Sequence, residues 1–233
     1  MKDIPMFTTP FGIASLSLRE VPYRKTAYIR IVATETCEAL INECVSFCRL
    51  CGAERIYAEG HSDLNQYPFY TAVWNMCCSK MQFDTKAEML YPVLSENVDH
   101  WRDIYNKRMA DVPLAAYMTE ADGKALCKSG EGYFVHRNGA LLGIGRVSGD
   151  RIRVIASVCK GSGSQVLCTL AGLTDTPTIS VEVASENLTA VSFYQKMGFI
   201  KTAEIARWYC VYDSGKHWTG DNNFAVNNCY DIK

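Results

Sequence analysis

One run of the chain combines polar, aromatic and glycine residues in a pattern that could do chemistry, and it extends from Asn187 to Phe199. Its apolar residues recur at helical spacing, and Gly198 suits the position just past the end of a helix. Asn187 could cap the start of that helix. Tyr194 is of most chemical interest, because a tyrosine hydroxyl can act as a general acid. A buried tyrosine often does no more than hydrogen-bond, so both interpretations of Tyr194 stay open.

A glycine-rich segment, Lys160 to Gln165, is the second candidate. It follows an apolar stretch with strand periodicity and precedes the apolar-periodic run from Val166 to Ala171, which predicts a loop that opens a helix. Glycines in such a loop permit unusual backbone dihedrals and close approach of the backbone to a ligand. The same composition is also typical of a flexible turn. The position between a strand and a helix favours the first interpretation.

The elements that position these residues alternate between strand and helix, which predicts a mixed α/β fold. Asn138-Gly139 between two alternating apolar runs is a strong hairpin signal, and it predicts a three-strand meander before the glycine-rich segment. From residue 85 onward the periodicities predict strands over 88–93, 132–136, 140–147, 151–158, 178–184 and 207–212, and helices from 95 or 97, over 120–128, from 166, and over 188–197.

The first third of the chain predicts a smaller α/β region. Strands are expected over 13–18, 27–32 and 55–58, with one helix from Thr34 or Thr36 to Leu50 and another that begins at Pro68 in the aromatic segment 67–78. The chain turns polar near residues 82–86. We therefore place a boundary there and expect an N-terminal region over 1–84 and a second domain with a C-terminal tail over 85–233.

The run Asn187-Leu-Thr-Ala190-Val-Ser-Phe193-Tyr194-Gln-Lys196-Met-Gly198-Phe199 resembles a known signature, Asn-x-x-Ala-x-x-apolar-Tyr-x-Lys-x-Gly-Phe, at all seven of its defining positions. That signature belongs to the GCN5-related N-acetyltransferase (GNAT) superfamily, whose element order also resembles that of residues 85–212. The resemblance implies an acyl-CoA N-acyltransferase-like fold, with a mixed, mostly antiparallel sheet flanked by helices. It also implies transfer of an acetyl or other acyl group from acyl-CoA, most simply acetyl-CoA, to a primary amine.

The resemblance further implies roles for individual residues. Tyr194 is expected to protonate the departing coenzyme A thiolate, and Asn187 to contact the pantetheine or phosphate end of the coenzyme. Lys160 to Gln165 resembles the pyrophosphate loop, whose backbone N–H groups face phosphates. The strand that ends at Ala156 to Val158 is expected to pair with pantetheine and polarise the thioester carbonyl. The expected coenzyme-binding residues are Ala156, Val158, Lys160, Gly161, Ser162, Gly163, Ser164, Asn187 and Tyr194.

Two departures from the family pattern bear on activity. Gln165 stands where the family prefers glycine or alanine, and only Cys159 separates Val158 from Lys160, a link about three residues shorter than usual. These departures keep open a non-catalytic acyl-CoA sensor or an interaction protein on the same fold. For an active enzyme the candidate bases are Glu131 and Glu182, which could equally be solvated surface charges. Cys159 could open a covalent route or be filler.

The N-terminal region shows a faint echo of the same architecture and is interpreted as a degenerate half-copy. Ala33-Thr34-Glu35-Thr36 stands before its helix in place of a glycine-rich loop, so we expect no coenzyme binding there. The region could wall the acceptor site with an aromatic set, or that set could be core. The aromatic set is Tyr67, Phe69, Tyr70 and Trp74.

Composition narrows the class of protein and the expected partners. The formal net charge is −1 without blocks of lysine or arginine, so no nucleic-acid partner is expected. The N-terminal stretch lacks a signal-peptide core and no apolar run approaches about 18 residues, which predicts a cytoplasmic protein without membrane contact. The expected partners are a coenzyme A thioester and a small-molecule or protein amine, and a homodimer is compatible with the sequence.

Eleven cysteines raise the question of disulfides or a metal. Cys37, Cys44, Cys48 and Cys51 share one face of a predicted helix, which favours core packing. A zinc site that also used Cys77-Cys78 would lack the usual ligand spacing. We therefore expect reduced thiols and no metal.

Overall fold

The computed structural model describes residues 6–83 and 88–215, which form one mixed, mostly antiparallel sheet of 11 strands with helices packed on it. The elements in chain order are β1 (Met6–Thr9), β2 (Gly12–Ser17), α1 (Val21–Arg24), β3 (Thr26–Thr34), α2 (Cys37–Leu50), β4 (Arg55–Glu59), β5 (Phe69–Ser79), β6 (Met89–Pro92), α3 (Val98–Arg108), α4 (Glu120–Ser129), β7 (Gly132–Arg137), β8 (Ala140–Ser148), β9 (Arg151–Ser157), α5 (Gly163–Ala171), β10 (Thr178–Ala184), α6 (Leu188–Lys196) and β11 (Ile200–Asp213). The predicted α+β class is confirmed.

The strand order is β1-β2-β3-β4-β11-β5-β10-β9-β8-β7-β6. Two pairs are parallel, β3 with β4 and β9 with β10, and each is joined by a helix, because parallel neighbours need a crossover connection. The antiparallel pair β2/β3 with α2 and β4 therefore repeats the pairing of β8/β9 with α5 and β10. This repetition agrees with a half-copy in the N-terminal region.

Local sequence signals account for the meander and for α4. Asn138 and Gly139 both have positive φ, 50° and 80°, as the two central residues of a tight hairpin turn require. Thr119 caps α4, because its hydroxyl accepts from the backbone N–H of Asp122 while the Asp122 carboxylate accepts from the N–H of Thr119. Both features are therefore encoded by a few adjacent residues.

The aromatic segment after Pro68 is a strand, and the predicted helix there is wrong. β5 lies at the centre of the sheet and pairs antiparallel with both β10 and β11. Its β-branched and aromatic residues suit a pleated surface, and a short apolar run alone does not separate helix from strand. β5 precedes the predicted boundary at residue 84, so the two predicted regions share one sheet. The boundary at 84/85 itself lies outside the described residues, and the division into regions 1–84 and 85–233 stays a prediction.

Three buried clusters form the core. One lies under α2, one lies between the sheet and helices α5 and α6, and one lies under α3 and α4. Cys37, Cys44 and Cys48 are buried in the first, which confirms core packing for them, whereas Cys51 is exposed because α2 has ended there. The ten cysteines of the described residues are free thiols. In residues 6–83 and 88–215 no helix has the length and apolar character needed to cross a membrane.

Candidate functional site

A cleft opens where β9 and β10 separate. These neighbouring strands are paired only at Arg151 and Ser180 in the described sheet, and beyond that pair they diverge. The divergence leaves a cavity of about 1100 Å³, which is in the range of sizeable ligand sites. Residues 153–157 of β9 and 182–184 of β10 line its two sides. The backbone of β9 therefore has an edge that faces the cleft rather than a neighbouring strand.

The glycine-rich segment forms one end of this cleft, and Gly161, Gly163 and Ser164 line the cavity. Gly161 has a φ of 83°, a conformation that glycine adopts without strain. Gly163 begins α5, and a Cβ built on it would lie 3.4 Å from the ring of Phe193. The first N–H groups of a helix lack partners within it and carry partial positive charge, so this end of the cleft suits an anion such as a phosphate.

The Ser162 side chain stabilises the loop itself and does not line the cavity. It is buried, and its hydroxyl oxygen lies 2.8 Å from both the Leu142 and the Cys159 carbonyl oxygens. These contacts tie the loop to β8. Of the other predicted loop residues, Lys160 is exposed and neither it nor Gln165 is among the residues that line the cavity. The glycines, and not these side chains, shape this end of the cleft.

Val158 was expected to pair with pantetheine, but the chain already occupies both of its backbone groups. Its N–H donates to the Leu142 carbonyl at 2.7 Å, and its carbonyl accepts from the Arg108 guanidinium at 2.9 Å. Ala156, two residues earlier, lines the cleft. The backbone that remains open to a ligand is therefore that of β9 before Val158.

Helix α6 brings Asn187 and Tyr194 to the cleft. The Asn187 side chain caps α6 by accepting from the Ala190 N–H at 3.2 Å, which confirms the helix-cap interpretation. The Tyr194 ring packs against Phe193 and Phe199, with centroids 5.4 Å away in each case. Burial raises the pKa of Tyr194 to about 12, because the phenolate is poorly solvated there. Tyr194 therefore carries its proton at neutral pH and can donate it.

The two candidate bases differ in place and environment. Glu182 lies on β10, lines the cleft and forms an ion pair with Arg151. Glu131 does not line the cleft. Its carboxylate accepts from the Ser148 hydroxyl at 2.6 Å and from the Arg146 guanidinium at 2.6 Å, and these hydrogen bonds hold its pKa below the usual range. A lowered pKa makes a weaker base, so this geometry gives no support to Glu131 as the base.

The aromatic residues of β5 and its entry do not line the cleft. Tyr70 stacks on Tyr57 at 3.7 Å between ring centroids, Tyr67 packs against the cluster under α2, and Trp74 packs against the cluster under α5. The packing supports the core interpretation for Tyr67, Tyr70 and Trp74, which are partly buried, but not for Phe69, which is 44% exposed and does not line the cleft either. Cys159 is also absent from the lining, and its thiol donates to the Leu141 carbonyl at 3.2 Å.

Sequence reasoning missed one wall of the cleft. The connection from α3 to α4 supplies an apolar surface, and three cations, Arg108, Arg153 and Lys196, also line the cavity. The available signal was composition, since the connection is rich in apolar residues without helical periodicity. The lining residues of this connection are Met109, Val112, Pro113, Leu114 and Ala115.

Comparisons with known proteins extend this description. No protein-family model matches the sequence. No curated protein matches it either. Among solved structures, the chain is similar to one described as a candidate acetyltransferase from Pyrococcus horikoshii, with a TM-score of 0.57, 10% identity and coverage of 88% of this chain and 70% of that one.

Two further solved structures are similar over most of the chain. One is a GCN5-related N-acetyltransferase from Sphaerobacter thermophilus, with a TM-score of 0.51, 11% identity and coverage of 85% and 74%. This chain has the fold of the GCN5-related N-acetyltransferases. A conserved protein of unknown function from Staphylococcus epidermidis is similar at a TM-score of 0.56 and 11% identity, with coverage of 89% of this chain and 93% of that one. The GNAT fold is thus found despite identities near one in ten.

Proposed function

We propose that this chain binds an acyl-CoA, most simply acetyl-CoA, in the cleft between β9 and β10 and transfers the acyl group to a primary amine. The observation that carries the proposal is that β9 and β10 diverge in a GNAT fold and leave a cavity between them. The glycines at the start of α5 and the protonated Tyr194 both line this cavity. The phosphates would lie at the start of α5, and pantetheine would run along the open edge of β9.

The reaction follows from these groups. The nitrogen lone pair of the neutral amine attacks the thioester carbonyl carbon, and the open backbone of β9 polarises the carbonyl oxygen. The carbon–sulfur bond then breaks, the sulfur keeps the electron pair, and Tyr194 gives it a proton. The proton that the nitrogen loses goes to Glu182, directly or through water. Holding both reactants in the cleft supplies much of the rate by orientation.

The test is release of coenzyme A thiol from acetyl-CoA in the presence of a panel of primary amines, from small amines to peptide N-termini. Saturable, amine-dependent release supports acyl transfer. Hydrolysis without amine dependence, or no release at any amine, contradicts it. The similar structure from Sphaerobacter thermophilus is described as an N-acetyltransferase, and this supports acetyl as the first donor to assay.

A non-catalytic acyl-CoA sensor is the second candidate. The observation that favours it is the occupation of both Val158 backbone groups by Leu142 and Arg108, which removes pairing atoms from the end of β9. Saturable binding of acetyl-CoA with no turnover across the amine panel would favour the sensor. A cytoplasmic location, with its cysteines kept as thiols, is part of both proposals.

A further inference from the structure

The apolar wall of the cleft belongs to a segment with no helix or strand, residues 109–118, which we call the wall segment. Two backbone hydrogen bonds within it are long, from Val112 to Met109 at 3.3 Å and from Ala115 to Val112 at 3.2 Å. Leu114 has a φ of 63°, an unfavourable conformation for a residue with a branched side chain. Such a conformation persists only where the surroundings fix the chain. The contacts that fix it as far as Tyr117 come from the N-terminal region, whereas Met118 is held by the Asn106 side chain of α3.

Arg24, the last residue of α1, contacts Met109 and Ala115, which are the two ends of the part of the wall segment that lines the cavity. Its guanidinium donates to the Met109 carbonyl at 3.1 Å and to the Ala115 carbonyl. Only 17% of its side chain is exposed. The fork of an arginine donates in two fixed directions, so this one side chain sets the distance between residues 109 and 115. Leu114 lies between these two points.

Glu20 holds the next part of the wall segment and also orients Arg24. Its carboxylate accepts from the Tyr117 N–H at 2.9 Å, and it lies 3.7 Å from the Arg24 Nε. Only 4% of the Glu20 side chain is exposed, so this charge depends on its partners. Arg19 donates to the Tyr117 carbonyl at 2.9 Å, and the Tyr23 ring stacks on that of Tyr117 at 4.1 Å.

We propose that Glu20 and Arg24 are positioning residues for the wall segment, so that the N-terminal region shapes the acceptor side of the cleft without touching the coenzyme. The proposal rests on the proposed function only for its kinetic consequence. The start of α5 and the edge of β9 are separate elements from the wall segment, and the one link noted between them, from Arg108 to the Val158 carbonyl, starts from α3 and not from the wall segment. Loosening the wall segment therefore weakens the use of the amine and leaves binding of acetyl-CoA unchanged.

Hydrogen exchange of the full-length chain tests the positioning itself, with or without activity. Arg24→Met keeps the stem of the side chain and removes its donors. We expect the amides of residues 110–118 to exchange about tenfold faster, while those of α2, β5 and α5 are unchanged, since local opening is measured segment by segment. Arg24→Lys should restore part of the protection. Arg49→Met is the matched control, because Arg49 stacks on Tyr212 and has no contact with the wall segment.

Glu20→Gln offers a second variant of nearly the same shape if Arg24→Met fails to fold. Unchanged exchange of residues 110–118 in whichever of the two variants folds overturns the proposal. Where an amine substrate is found, Arg24→Met should raise its KM about tenfold and leave the KM of acetyl-CoA within twofold. An equal rise in both KM values also overturns the proposal. A chain that shows no turnover counts against acyl transfer, while the exchange result still decides on the positioning.

Discussion

Single residues decide whether this cleft can do chemistry. Tyr194 can supply a proton at neutral pH, because burial raises its pKa to about 12 and keeps the proton on the phenol, and the same rise makes that proton harder to release to the thiolate. Its role as an acid had to come from the family signature, since a tyrosine at helical spacing is also ordinary core. The ion pairs of Glu131 with Arg146 and of Glu182 with Arg151 could not be predicted from the sequence. Each pair joins residues that only the pairing of neighbouring strands brings together.

Replacing Tyr194 tests the acid. Tyr194→Phe removes the proton donor and keeps the ring contacts with Phe193 and Phe199, so we expect kcat to fall about 100-fold and the Kd of coenzyme A to stay within twofold. Steady-state kinetics and calorimetric titration measure the two values. An unchanged kcat would remove Tyr194 from the mechanism.

The raised pKa of Tyr194 also makes a prediction about stability against pH. A group whose pKa is higher in the folded state stabilises the fold fully below its unfolded pKa of about 10, and this contribution is lost as pH rises toward 12. The Tm of the wild type should therefore fall more steeply than that of Tyr194→Phe between about pH 10 and 12. Parallel curves for the two proteins over that window would show that Tyr194 is solvated.

The two carboxylates are separated by a matched pair of variants. Glu182→Gln should lower the amine-dependent rate about tenfold, because a glutamine cannot take a proton. Glu131→Gln should leave the rate unchanged and lower Tm slightly, through loss of its contacts with Arg146 and Ser148. The pKa of Glu131 is lowered in the fold, so its stabilising effect is present above about pH 4.5 and is lost in acid, where the two Tm curves should converge. The reverse pattern of rates would make Glu131 the base.

At the scale of elements, local signals predicted most of the structure. The Asn138-Gly139 turn and the glycine-rich segment that opens α5 each depend on a few adjacent residues, and both are present in the structure. The prediction of a helix in place of β5 is wrong because the apolar and aromatic residues of this short run show no clear periodicity that would separate a strand from a helix. What makes it a strand is its pairing with β10 and β11, more than 90 residues away along the chain.

Ser162 tests how far the shape of the loop controls binding. Ser162→Ala removes the hydroxyl, whose single proton is shared between the Leu142 and Cys159 carbonyls, so the loop before α5 should loosen. We expect the Kd of coenzyme A to rise about fivefold and the free energy of unfolding to fall by about 1 kcal/mol. Titration and urea denaturation measure both. A lower free energy of unfolding with an unchanged Kd would mean that the Ser162 hydroxyl stabilises the fold but does not contribute to coenzyme binding.

At the scale of the whole molecule, the cleft is a property of the sheet and not of any motif. It exists because β9 and β10 diverge after one residue pair, while β5 fills the centre between β10 and β11. The wall segment is held by α1 from the other end of the chain. Neither fact could be predicted from sequence, since both depend on which distant residues meet. The two predicted regions thus contribute to one site.

The most direct test of the central claim is calorimetric titration of the wild-type chain and Gly163→Val with acetyl-CoA. The account predicts saturable binding to the wild type and its loss in the variant, because Gly163 lines the cavity at the start of α5 and valine adds a branched side chain there. Gly163→Ala, which adds only a Cβ, should fold and bind with a modest loss of affinity. Absence of binding to the wild type at about 1 mM acetyl-CoA, or equal binding to Gly163→Val, would contradict the account.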